Sequence, residues 1–389
     1  MTRSPLLAAA IENLRQLVGF DTTSRNSNLE LIEWVEGYLQ PLGAVLTRVP
    51  NGDGTKTNLI ASFGPLDVKG GVVLSGHTDV VPVDGQDWHT DPWTLTEKDA
   101  KLYGRGTCDM KGFSACALAL APAMAAAKLT APIHIALSYD EEIGCLGAHS
   151  LVDKLNEIYP GSSAVIIGEP SDMKVVSGQK GLSSFYVEII GREAHSSQIQ
   201  QGVSAIMEAI PLMAALHKMA DDARSIAPKD SPFEPPGTSI TIGMVEGGTA
   251  VNILARQCSF VFDIRFEGGD DPQIYEDQLR TLVEATDAKI KARAPEGSAT
   301  LTPRSLSPAM MPEKDGAAEA LARALTGDNT LRAVAYATEG GIFQLGSLST
   351  VICGPGSIAQ AHQPDEFVEV AQMAACVGFL EKLVVRMGG

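Results

Sequence analysis

The chain is expected to fold as an α/β protein that carries an inserted ferredoxin-like α+β domain. Three observations point there. Short continuous apolar runs end in acids or imidazoles. These runs alternate with helical segments, as in a sheet buried on both faces. A central stretch then follows the order β-α-β-β-α-β. A length of 389 residues is also long for one core and suggests two domains.

The first element is an amphipathic helix. MTRSPLLAAAIENLRQLVGF has a short apolar stretch, interrupted at once by Glu12, Asn13 and Arg15, which does not suit a signal peptide. Val72-Val73-Leu74-Ser75-Gly76 leads to His77. Met110-Lys111-Gly112 opens an alanine-rich helix to about Ala127, with Asp109 at its N-terminal end, where the dipole favours a carboxylate. The apolar segment from Ala115 to Ala127 contains Pro122 and is too short to span a bilayer. Pro132 to Ser138 leads to Asp140-Glu141-Glu142, and Ala164 to Gly168 leads to Glu169. Thr350 to Cys353 leads through Gly354-Pro355-Gly356 towards His362. Ligands of open α/β sheets collect beyond the carboxyl ends of the strands, where all four runs deliver these groups.

The middle of the chain differs. Strands are expected at 183–190, 239–245, 257–266 and 299–303, with helices at 203–219 and 271–287. The proline-rich stretch 227–237 reads as a surface loop. The expected division is 1–178 with 305–389 as one domain and 179–304 as the insertion.

Composition narrows the function. With 44% hydrophobic residues and mean hydropathy of +0.06, the chain reads as an ordinary globular protein, and the N-terminal helix and the short apolar segment at 115–127 lead to the expectation of a cytoplasmic one. A net charge of -17 argues against nucleic acid or an anionic membrane as partner and permits a cationic substrate. The six cysteines form no CxxC pair, so they read as free and mostly buried thiols.

Seven residues carry the chemistry: His77, Asp79, Asp109, Glu141, Glu142, Glu169 and His362. Imidazoles, several carboxylates and one acid to spare as a base make up a two-metal hydrolase centre. On an extended segment His77 and Asp79 face the same side, so Asp79 can accept the second ring N–H of a ligating His77. Taken singly, each motif has a bland reading: HxD is as often a solvated turn, an acidic triplet is usually a loop, and a loop histidine usually has no special role. His89, His134, His149 and His217 keep that bland reading. GxSxG, GxxxxGK[ST], HExxH and GxGxxG are absent, which leaves serine hydrolysis and nucleotide binding without local support.

Together the segments resemble the M20 metallopeptidase family of aminoacylase and carboxypeptidase-like zinc hydrolases. The resemblance spans nearly the whole chain. It rests on Ser75-Gly76-His77-Thr78-Asp79, Gly104-Arg105-Gly106 through Asp109-Met110-Lys111-Gly112, Asp140-Glu141-Glu142, Gly168-Glu169-Pro170 and Ala194-His195-Ser196-Ser197. Within the family, Tyr336 to Glu339 and Gly354 to Glu366 are most similar to the acetylornithine deacetylase branch. One departure is Ala255, where many relatives carry proline.

The resemblance implies a mixed-sheet, zinc-peptidase-like catalytic domain and an inserted domain that serves as lid and dimerisation unit. It implies two divalent ions, zinc first and cobalt second. His77 and Glu169 would bind one, Glu142 and His362 the other, and Asp109 both. Glu141 would be the general base and Asp79 the support of His77. His195 and Asn252 would hold substrate and oxyanion, Arg265 the substrate carboxylate, and Glu339 a side-chain ammonium. A cis peptide is implied after Asp109. The implied partners are a small N-acyl amino acid and a second copy of the chain. The implied reaction is hydrolysis of N2-acetyl-L-ornithine, a step of arginine biosynthesis. The alternatives are another amidohydrolase activity of the family (succinyl-diaminopimelate desuccinylase, aminoacylase or dipeptidase) and a catalytically dead metal-binding scaffold. A complete set of base and ligands counts against the scaffold.

Overall fold

The computed structural model describes residues 3–388. The chain divides into two compact units. One comprises Met1–Gly178, Met310–Ala333 and Thr338–Gly389, and the other Gln179–Ala309 and Val334–Ala337.

The first unit is built on a six-stranded mixed sheet. Its strands lie in the order Val45–Pro50, Thr57–Phe63, Ile133–Ser138, Val72–His77, Ala164–Pro170 and Thr350–Gly354. The last four run parallel, and the first two are antiparallel additions at one edge. The parallel four are the apolar runs of the sequence, and each is buried along its whole length. That burial leaves only their ends free to present polar groups.

The helix Lys111–Ala126 packs against three of these strands, and the helices Pro5–Val18 and Val370–Met387 pack on it. It is buried nearly all round, which explains why its sequence lacks a polar stripe. Gly168 allows the close approach, since a Cβ there would lie 1.9 Å from the Phe113 ring. Gly354 is equally constrained, by the Gly168 carbonyl at 1.9 Å. These two glycines bring helix and strands together just where Glu169 leaves the sheet.

The second unit holds an antiparallel sheet in the order Ser239–Gly247, Gln257–Phe266, Gly181–Ile190 and Ser298–Ser307, with helices Ala205–Ser225 and Gln273–Lys291. The strand Gly181–Ile190 alternates, and its Phe185, Val187 and Ile189 are buried in one core with Leu212, Leu216, Leu279 and Val283. The unit extends past 304 because its last strand does not stop at Pro303. The pairing shifts register between Pro303 and Ser305, and the strand continues to Ser307. A proline is tolerated at such an irregularity on an edge strand.

Among the described residues no helix is long and apolar enough to cross a membrane.

Candidate metal centre

The four parallel strands end side by side. His77 closes Val72–His77 and lies opposite Ser138 of the neighbouring strand. Asp140, Glu141 and Glu142 follow that neighbour, Glu169 lies at the end of Ala164–Pro170, and His362 follows Thr350–Gly354 beyond a turn. Asp109 arrives from the loop ahead of Lys111–Ala126, and the peptide after it is cis.

These groups converge. The His77 Nε2 lies 2.9 Å from Asp109 Oδ1 and 3.6 Å from Glu169 Oε1. The His362 Nε2 lies 3.3 Å from Asp109 Oδ2 and 3.1 Å from Glu142 Oε2. Asp109 thus faces one imidazole with each oxygen. Donor atoms of His77, Glu141 and Glu169 lie within 4.8 Å of one another, as do those of His77, Asp109 and Glu142. His77, Asp109 and Glu169 are buried, whereas the His362 side chain is 52% exposed. His362 adopts φ 64, a left-handed backbone that a non-glycine residue keeps only when its surroundings hold it there.

Charge in this cluster is crowded. Burial pushes Glu141 and Glu169 well above the usual carboxylate range, and neighbouring acids add to it. Burial and the Asp109 charge raise Glu142 to about 7. Burial alone would lower His77, but its hydrogen bond to Asp109 and the charges of Glu141 and Glu169 raise it well above its ordinary value. Hydrogen bonds to Asp109 and Glu142 carry His362 to about 10. Asp109 itself is lowered, since the two imidazoles outweigh its burial.

The donor set fits a pair of divalent cations. Four carboxylates and two imidazoles are gathered in one place, and among the described residues no lysine or arginine pairs with Glu141, Glu142 or Glu169. The Glu142 Oε1 is buried without a hydrogen-bond partner among the described residues. Buried acids in this number need compensating positive charge.

The acidic triplet is sorted by its neighbours. Asp140 turns away to pair with Lys56, which also donates to the Ser24 carbonyl. Glu141 and Glu142 stay in the cluster. Their backbone N–H groups donate to Asp79 Oδ1 at 3.0 Å and Oδ2 at 3.2 Å. This changes the expected contact at Asp79. The His77 Nδ1 meets the Asp79 backbone carbonyl at 2.8 Å, with the carboxylate Oδ1 at 3.7 Å. The carboxylate instead gathers two backbone donors and the Ser24 hydroxyl at 2.7 Å. Three hydrogen bonds to a buried charge outweigh one to a ring nitrogen.

Glu339 is 2% exposed, and Ser75 Oγ donates to its Oε2 at 3.4 Å. Its Oε1 is buried without a hydrogen-bond partner among the described residues, and burial raises its pKa. His195, Asn252 and Arg265 belong to the second unit. There the Ser196 N–H donates to the Asn252 carbonyl, His195 is exposed with Nδ1 2.7 Å from Ser197 Oγ, and Arg265 pairs with Asp263. Arg105 and Glu366 pair with each other behind the loop that delivers Asp109, and the sequence signal for them is membership of two quoted motifs with no role attached. All six cysteines are buried, and Cys145 donates its thiol to Glu141 Oε1 at 3.4 Å.

Comparison with known proteins places the chain in a family. The family model described as Peptidase family M20/M25/M40 matches residues 73–386. The chain is 34% identical over 398 residues to the acetylornithine deacetylase of Myxococcus xanthus, covering 99% of each chain. It is 33% identical to the acetylornithine deacetylase of Pasteurella multocida, covering 92% of this chain and 91% of that one. Among solved structures it is similar to human carnosine dipeptidase 1, with a TM-score of 0.76 at 19% identity, covering 98% and 97% of the two chains. An M20 family metallo-carboxypeptidase of Sulfolobus solfataricus gives a TM-score of 0.75 at 17% identity, covering 98% and 99%.

Proposed function

The chain belongs to peptidase family M20/M25/M40, and from that premise we propose that it hydrolyses the N-acetyl amide of N2-acetyl-L-ornithine to L-ornithine and acetate. Membership makes it a metal-dependent amidohydrolase. The observation that carries the chemistry is the buried convergence of His77, Asp109, Glu141, Glu142, Glu169 and His362. The substrate follows from the full-length similarity to enzymes named for that activity.

In this reading His77 and Glu169 would hold one divalent ion and Glu142 and His362 the other, with Asp109 as a ligand available to each. When bound, the ions supply an acidified water and polarise the scissile carbonyl. Zinc suits a donor set of imidazole and carboxylate, and cobalt suits it nearly as well. Glu141 takes the proton of the attacking water. The water oxygen bonds to the acetyl carbon, the C–N bond breaks, and Glu141 returns the proton to the departing α-amine. Asp79 keeps Glu141 and Glu142 in place through their backbone N–H groups.

His195 and Asn252 steady the oxyanion, Arg265 meets the substrate carboxylate, and Glu339 meets the side-chain ammonium. The Glu339 carboxylate is buried and, among the described residues, pairs with no lysine or arginine, which supports that last role. A homodimer formed through the second unit belongs to the same proposal. Its support is the edge strand Ser239–Gly247, where Met244 and Val245 are each 55% exposed, and the exposed Met207 and Ile210 of the adjoining helix. The setting is arginine biosynthesis in the cytoplasm. Purified protein supplied with zinc or cobalt should release acetate from N2-acetylornithine; no release with either metal would defeat the assignment.

A further inference from the structure

The loops that deliver Asp109 and His362 are tied together by one buried ion pair. Arg105 and Glu366 have side chains only 1% exposed and meet at 2.7 Å. Glu366 does more than pair. Its Oε2 also accepts from the Gly106 N–H at 3.0 Å, and its Oε1 accepts from the N–H groups of Cys108 at 2.8 Å and Asp109 at 3.0 Å. Its own carbonyl accepts from the Gly104 N–H at 3.0 Å. A single carboxylate therefore fixes the backbone of the loop that ends in Asp109.

The same pair reaches His362 from the other side. Arg105 donates to Gln86 Oε1 at 2.5 Å and to the Gln363 carbonyl at 3.4 Å, and it lies over the Trp88 ring. Gln86 Nε2 donates to the His362 carbonyl at 2.9 Å. Asp365 adds a tie to the same segment by accepting from the His89 N–H at 2.8 Å. His362 holds a left-handed backbone, and the bond from Gln86 falls on its own peptide.

We infer that Glu366, Arg105 and Gln86 form a positioning clamp that sets Asp109 and His362 at the separation a cation between them needs. The inference rests on the two-ion reading of this centre. None of the three is assigned contact with substrate or ion. Their effect is on the aim of the groups that have it, as with the hydrogen-bonding partners behind the ligands of other metal sites. The clamp acts most on the ion of Glu142 and His362, because Gln86 bonds the His362 carbonyl and, among the described residues, has no hydrogen bond to His77 or Glu169.

Two variants separate this role from a general contribution to folding. Glu366→Gln keeps shape but cannot accept from all four donors. Gln86→Met, at a half-buried position, cuts the bond to His362 and removes the acceptor shared by Arg105 and the Trp88 indole N–H, and it leaves Glu366 and its four donors in place. Metal-free wild type and both variants are checked by far-UV circular dichroism and titrated with cobalt(II) by equilibrium dialysis and visible absorption. Wild type should bind two ions. Folded Gln86→Met should bind one ion much as wild type does and the other about 10- to 100-fold more weakly, and folded Glu366→Gln, which loosens Asp109, should weaken one or both ions by a similar factor. A lower melting temperature with both affinities unchanged would overturn the clamp. If Glu366→Gln does not fold, Gln86→Met decides alone, and an unchanged second affinity overturns it. Wild type that binds fewer than two ions removes the two-ion reading itself, and the clamp with it.

Discussion

His77 and His134 sit on neighbouring parallel strands of one sheet, and both are buried. Their surroundings differ completely. His77 lies at a carboxyl end, where Asp109, Glu141 and Glu169 raise its pKa against the effect of burial. His134 lies at an amino end, stacked on Tyr159 with Nδ1 2.8 Å from Ser62 Oγ, and burial alone lowers it to about 4. Burial is common to both, so it does not make a site. The end of the strand does, because loops carrying acids collect there.

The sharpest way to break the contrast is to disable the base at the carboxyl end. Glu141→Gln should lower kcat by about 10^4-fold while metal analysis finds near-normal content. Retained turnover would remove Glu141 from that role. Glu142→Gln and His362→Ala should instead lower bound metal, read by elemental analysis. A chelator should abolish activity, and zinc or cobalt should restore it. His195→Ala should cost about 100-fold in kcat, the size seen for an oxyanion donor, with metal content intact.

The amino end should show the smallest catalytic effect and a distinct pH signature. His134→Gln should leave kcat near wild type. In the native protein a folded pKa near 4, below the unfolded value of 6.5, means that stability is fully present above pH 6.5. It is lost as pH falls towards 4, by up to about 3 kcal/mol. Denaturant melts of the variant should lack that loss, and an unchanged pH profile would show that His134 is not its source.

Much of the first unit could be read from sequence because its strands are continuous apolar runs. Their ends are therefore marked wherever a polar residue appears, as at His77, Asp140 and Glu169. The part that could not be read depends on contacts remote in the chain. Three adjacent acids look alike until Lys56 draws Asp140 away. The spacing of His77 and Asp79 suggests a side-chain contact, yet Asp79 spends its carboxylate on the loop of Glu141 and Glu142. Glu366 and Arg105 are 261 positions apart in the chain, and only the fold brings them together. In the second unit Pro303 looked like a strand end, although edge pairing carries the strand past it.

The most direct test is a comparison of substrates with metal-loaded wild type. kcat/KM is measured for N2-acetyl-L-ornithine, succinyl-diaminopimelate and a dipeptide under one set of conditions. The account predicts that acetylornithine leads by a factor of at least about 100, near 3 kcal/mol in transition-state binding. A dipeptide or the succinyl compound in first place would contradict it, while leaving the metal centre and Glu141 as they stand.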